Sequence, residues 1–572
     1  MGHTPPSIYR QRWGRLFLLF VIILGMSQSL QIYLLWPGNI WGQFGQHVAL
    51  IVKGGGYFLT HNSLVKITYY TDQLKEYGIY NSMIKNVLLS LLSSLSISVL
   101  ITYWLGWVPG GTRNLIKVNG PTLYKERTLK IGLRKLRRKR SSKSKIAIHP
   151  KLQLTDKELE GNVFVFGQQG SGKSVIIKPL LKNIIDTNEI VVIYDEKREY
   201  SELFYDAQDS ILIAPWDKRS AYWDISKDLQ STKDFELMSQ RLILDRTSDP
   251  MWSNGAKAIF AGILAICKSQ NEDGWGWSDI ADTLSTEDFI LRELLDRNYK
   301  SAVRYIEPNS KTTHGFMSTL MTDVAWINSI AVNWKKTDKN AFSINEWLEG
   351  KNPKIKKIII QSHPKFKFVG APLCNAMLGL LTSLILSKPD GHSRNTWLVL
   401  DELGNLPKND SLKEWLSLGR SKGCRLIAGT QSMSQLHEKY GEKDTDTILN
   451  LFSTVVALRC GVSGDVAEYA AKCFGESIYE RPSIDPSKSS SANNWQKETW
   501  QLVTTDDLKH LPQASKNGVT GYITSSGWNS AFQLQWPYPT LAIKSESHIP
   551  ASWLKTRKVK PSKTKNGRLR NR

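Results

Sequence analysis

At 572 residues the chain is too long for a single hydrophobic core, and its length implies roughly three to four domains. Its 75 Lys+Arg against 52 Asp+Glu leave a formal net charge of +23, which suits a polyanionic partner, nucleic acid or anionic lipid, without choosing between them. The five cysteines (Cys267, Cys374, Cys424, Cys460 and Cys473) are scattered with no C-x-x-C pair, which excludes a disulfide or zinc framework and leaves reduced core residues.

The N-terminal stretch from Leu16 to Trp36 is almost wholly apolar and long enough to span a bilayer. Arg10, Arg12 and Arg15 precede it, so a signal peptide is the competing reading, for which the run is overlong. A second apolar run, Val87 to Val108, carries interspersed serines and ends in the interfacial aromatics Tyr103, Trp104 and Trp107. A buried core helix is the alternative there. Arg113, Lys117, Lys125 and Arg127 follow, then a dense basic cluster from Arg134 to Arg140. The positive-inside rule places both termini in the cytoplasm. The expectation is a membrane domain over 1–112, with spans at about 16–36 and 87–108 and a short external segment between them. A basic juxtamembrane linker over 113–147 would touch anionic headgroups or guide a nucleic acid.

Next comes a β-branched and aromatic strand pattern, Val163 to Phe166, running into Gly167-Gln168-Gln169-Gly170-Ser171-Gly172-Lys173-Ser174 and then a helical pattern. Strand, G-x-x-x-x-G-K-[ST] and helix in this order form a phosphate loop. Its glycines let backbone N–H groups turn toward an anion in front of a helix N-terminus. Lys173 would pair with the β- and γ-phosphates, and the Ser174 hydroxyl would hold Mg²⁺. The implied ligand is ATP with Mg²⁺.

Two strand ends compete to supply the acidic pair such a site needs. Ile190 to Tyr194 ends in Asp195-Glu196, and Trp397 to Leu400 ends in Asp401-Glu402. The first is only the next strand after the loop. The second lies far downstream and is followed by a helix and a further strand, as in motor ATPases, so Asp401 is assigned to Mg²⁺ and Glu402 to activating the attacking water. The strand Arg425 to Gly429 then delivers Gln431, placed to sense the γ-phosphate or that water. Arg420 is the candidate for an arginine finger reaching a neighbouring subunit's nucleotide, with Arg425 and Arg459 as alternatives.

The chain resembles the type IV coupling proteins, TraD/TraG-like membrane ATPases of conjugation and type IV secretion in the wider HerA/FtsK motor group. The residues that carry the resemblance are the phosphate loop, Asp195-x-Lys197-x-Glu199, Trp223-Asp224, and Trp252 with Ala256. With them go Leu400-Asp401-Glu402-Leu403-Gly404-Asn405-Leu406-Pro407, Gly419-Arg420-Ser421-Lys422-Gly423 and Gln431-Ser432-x-x-Gln435-Leu436. The resemblance implies an α/β fold: a RecA-like P-loop motor domain (148–231 and 335–545) with an inserted all-α domain (232–334), behind a two-helix transmembrane hairpin. It implies a homo-hexamer on the bacterial inner membrane that receives single-stranded DNA bound to a relaxase, or protein effectors, and passes it to the type IV secretion channel.

Within the insertion, Trp275, Trp277 and Trp326 would either stack on substrate or form core. Arg481 to Asn494 reads as a mobile loop, and the tail over 546–572, Lys/Arg-rich from Lys555, as disordered. Some relatives carry an acidic tail for docking, so this basic one departs from them and would touch DNA or membrane instead. Rival functions are a coupling ATPase for protein effectors only, a docking scaffold whose nucleotide is structural, and an FtsK-type chromosome motor.

Overall fold

The computed structural model describes residues 9–11, 13–34, 44–61, 63–76, 78, 80–105, 107–109, 116–140, 146–245, 249–272, 274–337, 340–390, 395–406, 408–483 and 494–554. The chain divides into two units, residues 1–119 with 478–499, and residues 120–477 with 500–572.

Two long apolar helices, Trp13–Leu34 and Tyr80–Leu105, form the first unit's frame. Within the second, Tyr80–Ile101 is long and apolar enough to cross a membrane, whereas the apolar stretch of the first, Phe20–Gln31, is shorter. Gln28 donates to the Ser90 hydroxyl at 2.8 Å, Ser93 bonds Gln31, and Ser90, Ser94 and Ser98 are buried. Serines four residues apart share one helical face and let two backbones approach, so most of the serines that lower this run's hydropathy lie along its packed seam, with Ser96 exposed. Leu88, Leu92, Leu95 and Val99, on the opposite face, are exposed.

The boundaries differ from the expected ones. The second helix begins before Val87, and Trp107 stands outside it, in a strand Trp107–Pro109 paired antiparallel with Tyr9–Gln11. Between the long helices lie two more, Phe44–His61 and Val65–Glu76, where only a short connection was expected. The end of the first expected span, residues 35–36, lies outside the described residues. So do most of the expected 481–494 loop and the tail from 555 onward, whereas 546–554, expected to be disordered, is anchored: the Ile549 amide donates to Asp217 (3.0 Å) and Trp553 Nε1 to the Pro215 carbonyl (3.1 Å). Strands Glu476–Ser483 and Asn494–Gln501 flank that loop and form a three-stranded sheet with Ile116–Asn119.

The second unit is organised by a ten-stranded sheet. Its seven parallel strands run in the order Thr454–Ala457, Val163–Phe166, Cys424–Thr430, Thr396–Leu400, Ile190–Asp195, Lys357–Gln361 and Ser210–Ile213. The five strands from Val163–Phe166 to Lys357–Gln361 are buried along nearly their whole length, which is why each reads as a continuous apolar run rather than an alternating one. Beyond Thr454–Ala457 the sheet continues through the antiparallel hairpin Val519–Ser525 and Ser530–Trp536 to an edge strand, Thr122–Tyr124. The apolar helix Lys367–Leu386 is also long enough to cross a membrane, but most of it is buried within this unit.

Much of the stretch expected to be a linker is therefore folded. Besides the edge strand, the helix Leu129–Lys139 buries Leu133 and Leu136, and Arg140 closes on Glu158 at 2.9 and 3.1 Å and on the Gln153 carbonyl at 2.7 Å. The basic run hid a helical apolar stripe at i and i+3 behind its charge count.

Between Tyr222–Trp223 and Ala341–Phe342 the regular elements of the described chain are all helices. Those two short strands pair with each other in parallel and so pin both ends of the insertion together. Asp228 clasps the same neck, accepting from Trp223 Nε1 (2.7 Å), Ser343 Oγ (2.6 Å) and the Ile344 and Asn345 amides. Trp275, Trp277 and Trp326 are buried in the insertion and present no stacking surface.

Candidate functional site

The phosphate loop sits where the Val163–Phe166 strand meets the helix Lys173–Asp186. Gly170 and Gly172 adopt φ of +74° and +97°, a backbone region that strains any residue with a Cβ. The loop hangs from both neighbouring strand ends: the Gly167 amide donates to the Thr430 carbonyl (3.2 Å), and the Gln168 amide to the Arg459 carbonyl (3.0 Å). A Cβ on Gly172 would stand 2.5 Å from a Val519 methyl, so the last hairpin packs directly against the loop.

The sheet order brings the distant acidic pair to this loop. The strand ending before Gln431 lies between the phosphate-loop strand and the strand ending before Asp401, so all three end side by side. Lys173 Nζ donates to the Gly167 carbonyl at 2.9 Å and stands 3.7 Å from Glu402 Oε2. Glu402 Oε1 accepts from the Gln431 backbone N–H (3.2 Å) and the Thr430 hydroxyl (3.3 Å). Burial pushes the Glu402 carboxyl above its usual range, against the pull of Lys173. Burial lowers Lys173 in turn, and the charges of Glu402 and Asp401 work against that.

Asp401 is partly buried, and its Oδ1 is enclosed without a hydrogen-bond partner. Burial raises its pKa, while the charges of Lys197 and Lys173 oppose the rise. A buried carboxylate oxygen left unpaired is costly, which fits a carboxylate that completes its shell through a hydrated cation. Ser174 lines the same cavity.

That cavity, about 250 Å³, is lined by Gln168, Gln169, Gly170, Gly172, Lys173 and Ser174 from the loop, with Asp401, Glu402 and Gln431. Ser171 is the loop residue turned inward, with its hydroxyl buried. Sequence reasoning gave no role to five further lining residues, Lys197, Asn405, Ala514, Val519 and Tyr538. Lys197 and Asn405 stood within quoted motifs. Nothing local marks the other three, because only the hairpin's docking brings them here.

One oxygen of the competing Asp195 is occupied, while its Oδ1 is, like that of Asp401, buried without a hydrogen-bond partner. Its Oδ2 accepts from the Ser201 amide (2.6 Å) and hydroxyl (2.7 Å), holding the turn into the helix Glu199–Phe204, and burial lifts its pKa to about 6. Glu196 pairs with Lys367 at 2.9 Å.

Arg420 lies elsewhere. It is exposed, 3.1 Å from Glu160, in a separate cavity shared with Arg425 at the start of the strand that ends before Gln431. A seven-residue strand spans roughly 20 Å, so Arg420 does not reach its own chain's loop. Arg425 is buried on the Arg420 and Cys424 carbonyls. Arg459 offers only its backbone to the loop in the contact with Gln168.

The fold recurs in known proteins. Solved structures of the bacterial conjugative coupling protein TrwB share the fold: the unbound form has a TM-score of 0.65 at 20% identity, covering 76% of this chain and 97% of that one. TrwB in complex with ADP and Mg²⁺ gives 0.63 at 20%, covering 77% and 99%. The coupling protein TraD of Escherichia coli (strain K12) is 28% identical over 407 residues, 69% of this chain. The chain matches about half, 55%, of that relative's length. The family described as the type IV secretion-system coupling protein DNA-binding domain matches residues 146–525. The α/β motor fold, its helical insertion and the span of that match establish that the chain belongs to the type IV secretion-system coupling protein family.

Proposed function

We propose that this chain is an ATP-hydrolysing coupling protein that recruits a DNA–relaxase or protein substrate and drives it into a type IV secretion channel. The observation that carries the reading is the convergence of Lys173, Asp401 and Glu402 on one cavity beneath the phosphate loop. TrwB, which shares the fold, has been solved with ADP and Mg²⁺ and with the ATP analogue ADPNP, in keeping with ATP and Mg²⁺ as ligands here.

In this reading the loop amides and Lys173 would hold the β- and γ-phosphates, and Ser174 and Asp401 would hold Mg²⁺. When bound, the cation would supply neutralisation of the charge that develops on the phosphate oxygens. Glu402 takes a proton from the attacking water. The Gln431 backbone N–H bonded to it ties the state of that carboxylate to the next strand end, the direct route by which hydrolysis would be passed outward. Arg420, exposed and remote from its own site, serves a neighbouring subunit of a homo-hexamer.

The two long helices of the first unit would form an inner-membrane hairpin with both termini cytoplasmic. Support comes from the length and apolarity of Tyr80–Ile101 and from the polar seam between the helices. The deciding experiment measures ATP turnover of the full chain in detergent, with and without single-stranded DNA, across a salt series. Stimulation that weakens with salt supports a DNA motor, since phosphate contacts release counterions. Turnover indifferent to DNA assigns the chain to protein substrates, and no turnover under any condition rejects the motor.

A further inference from the structure

The phosphate-facing side of the cavity is polar and charged, as a triphosphate requires. The rest of a nucleotide is a flat, weakly polar base, and the cavity offers one wall of matching chemistry: Ala514, Val519 and Tyr538, all from the C-terminal hairpin and its flanks. Tyr538 is the one aromatic among the described lining residues. It stays 50% exposed, with no ring or hydrogen-bond partner among the described residues. A half-exposed aromatic on a cavity wall gives up contact area that its buried neighbours use. Trp536, two residues earlier, is buried and donates to the Ile148 carbonyl at 2.9 Å.

The fold also fixes where that ring stands. Trp536 pairs with Val519 across the hairpin, and Val519 packs on Gly172 of the phosphate loop. Gly518 leaves no room for a side chain against the Trp536 carbonyl and Pro537, so the two strands of the hairpin approach closely just before Tyr538. Downstream, the Lys544 and Ser545 amides hold the Glu202 carbonyl (3.0 and 3.2 Å), and Gln361 donates to the Ser547 carbonyl (2.9 Å). Tyr538 is thus suspended beside the phosphate loop between two anchored stretches of chain.

We infer that Tyr538 is the base-stacking residue of this site: its ring packs on the nucleobase of the bound nucleoside triphosphate, with Ala514 and Val519 completing the apolar wall. The inference rests on the nucleotide-site reading above. Stacking of a base on an aromatic ring is sequence-tolerant and is lost on truncation to alanine.

The test compares the full chain in detergent with its Tyr538→Ala and Tyr538→Phe variants, using ATP as substrate and inorganic tripolyphosphate, which has no base, as competitor. Tyr538→Ala should raise the KM for ATP by roughly five- to hundredfold with kcat changed less than threefold. Tyr538→Phe should match the unsubstituted protein, and the inhibition constant of tripolyphosphate should be the same in all three. A KM within twofold in Tyr538→Ala overturns the inference, as does equal weakening of ATP and tripolyphosphate, which would mark a general disturbance of the loop. If the unsubstituted protein neither turns over ATP nor binds tripolyphosphate, the nucleotide-site reading falls and this inference with it.

Discussion

Lys173 Nζ and Glu402 Oε2 stand 3.7 Å apart in a largely buried site, although they come from distant parts of the chain. Each is shifted toward its neutral form by burial and back toward its charged form by the other. Such a pair is poised: a triphosphate entering beside Lys173 would compete for its charge and free Glu402 to act as a base.

Removing either partner should stop turnover in different ways. Glu402→Gln should cut kcat by about 10²-fold or more while nucleotide binding survives, as expected for a lost general base. Lys173→Ala should weaken binding as well, because it deletes a phosphate contact and leaves Glu402 buried alone. Nucleotide titration beside single-turnover hydrolysis separates the two, and turnover at the unsubstituted rate in either variant would refute the assignment.

Acid should inactivate the protein at a higher pH than ordinary carboxylates would suggest. Glu402 has a raised pKa, chiefly through burial, and must be ionised to act as a base. As pH falls it protonates before exposed carboxylates do, so the acid limb of kcat/KM should lie above the unperturbed value of 4.5. A pH–rate profile checks this, and a limb at or below 4.5 would contradict it.

Asp195 makes a separate prediction about stability. Its folded pKa of about 6 exceeds the ordinary 3.8, so the folded state holds its proton more tightly. Stability from this group is greatest at low pH and is lost as pH rises from about 4 to about 6, by on the order of 3 kcal/mol. Asp195→Asn should flatten that part of the pH dependence of Tm, measured by thermal unfolding at pH 4.5 and 7. An unchanged pH dependence would show that the site is more solvated than the structure has it.

If Arg420 acts across a subunit boundary, two dead variants should rescue each other. Arg420→Ala and Glu402→Gln are each expected to lose turnover, but a mixed ring places an intact Arg420 beside an intact Glu402 at some interfaces. Partial recovery on mixing supports a finger in trans, and none would count against it. Arg420→Ala should barely change Tm, because its pair with Glu160 is exposed.

Gly172→Ala should abolish nucleotide binding. The residue combines a positive φ with a Cβ position 2.5 Å from Val519, so the loop cannot keep its shape with any side chain there. Equilibrium binding of a fluorescent nucleotide reads this out, and binding within threefold of the unsubstituted protein would contradict it.

The sequence by itself determined whatever is local and continuous. The phosphate loop, the buried strands at Val163–Phe166 and Lys357–Gln361, and the helical insertion are legible because a strand buried on both faces must be apolar throughout and a P-loop must have its glycines. The acidic pair was legible only as a choice between two strand ends. The sheet order favours the second, because it puts Asp401 one strand nearer the loop than Asp195, one of whose oxygens is taken up by Ser201.

Where charge or polarity hid an apolar period, the residues misled. The basic run before Arg140 proved to be helix and edge strand, and most of the serines of the second apolar run proved to lie along a helix seam. Tyr538 and Val519 carry no motif at all. Their place at the nucleotide cavity is set by the antiparallel hairpin closing the sheet beside the phosphate loop, and such long-range pairing leaves no mark in nearby sequence.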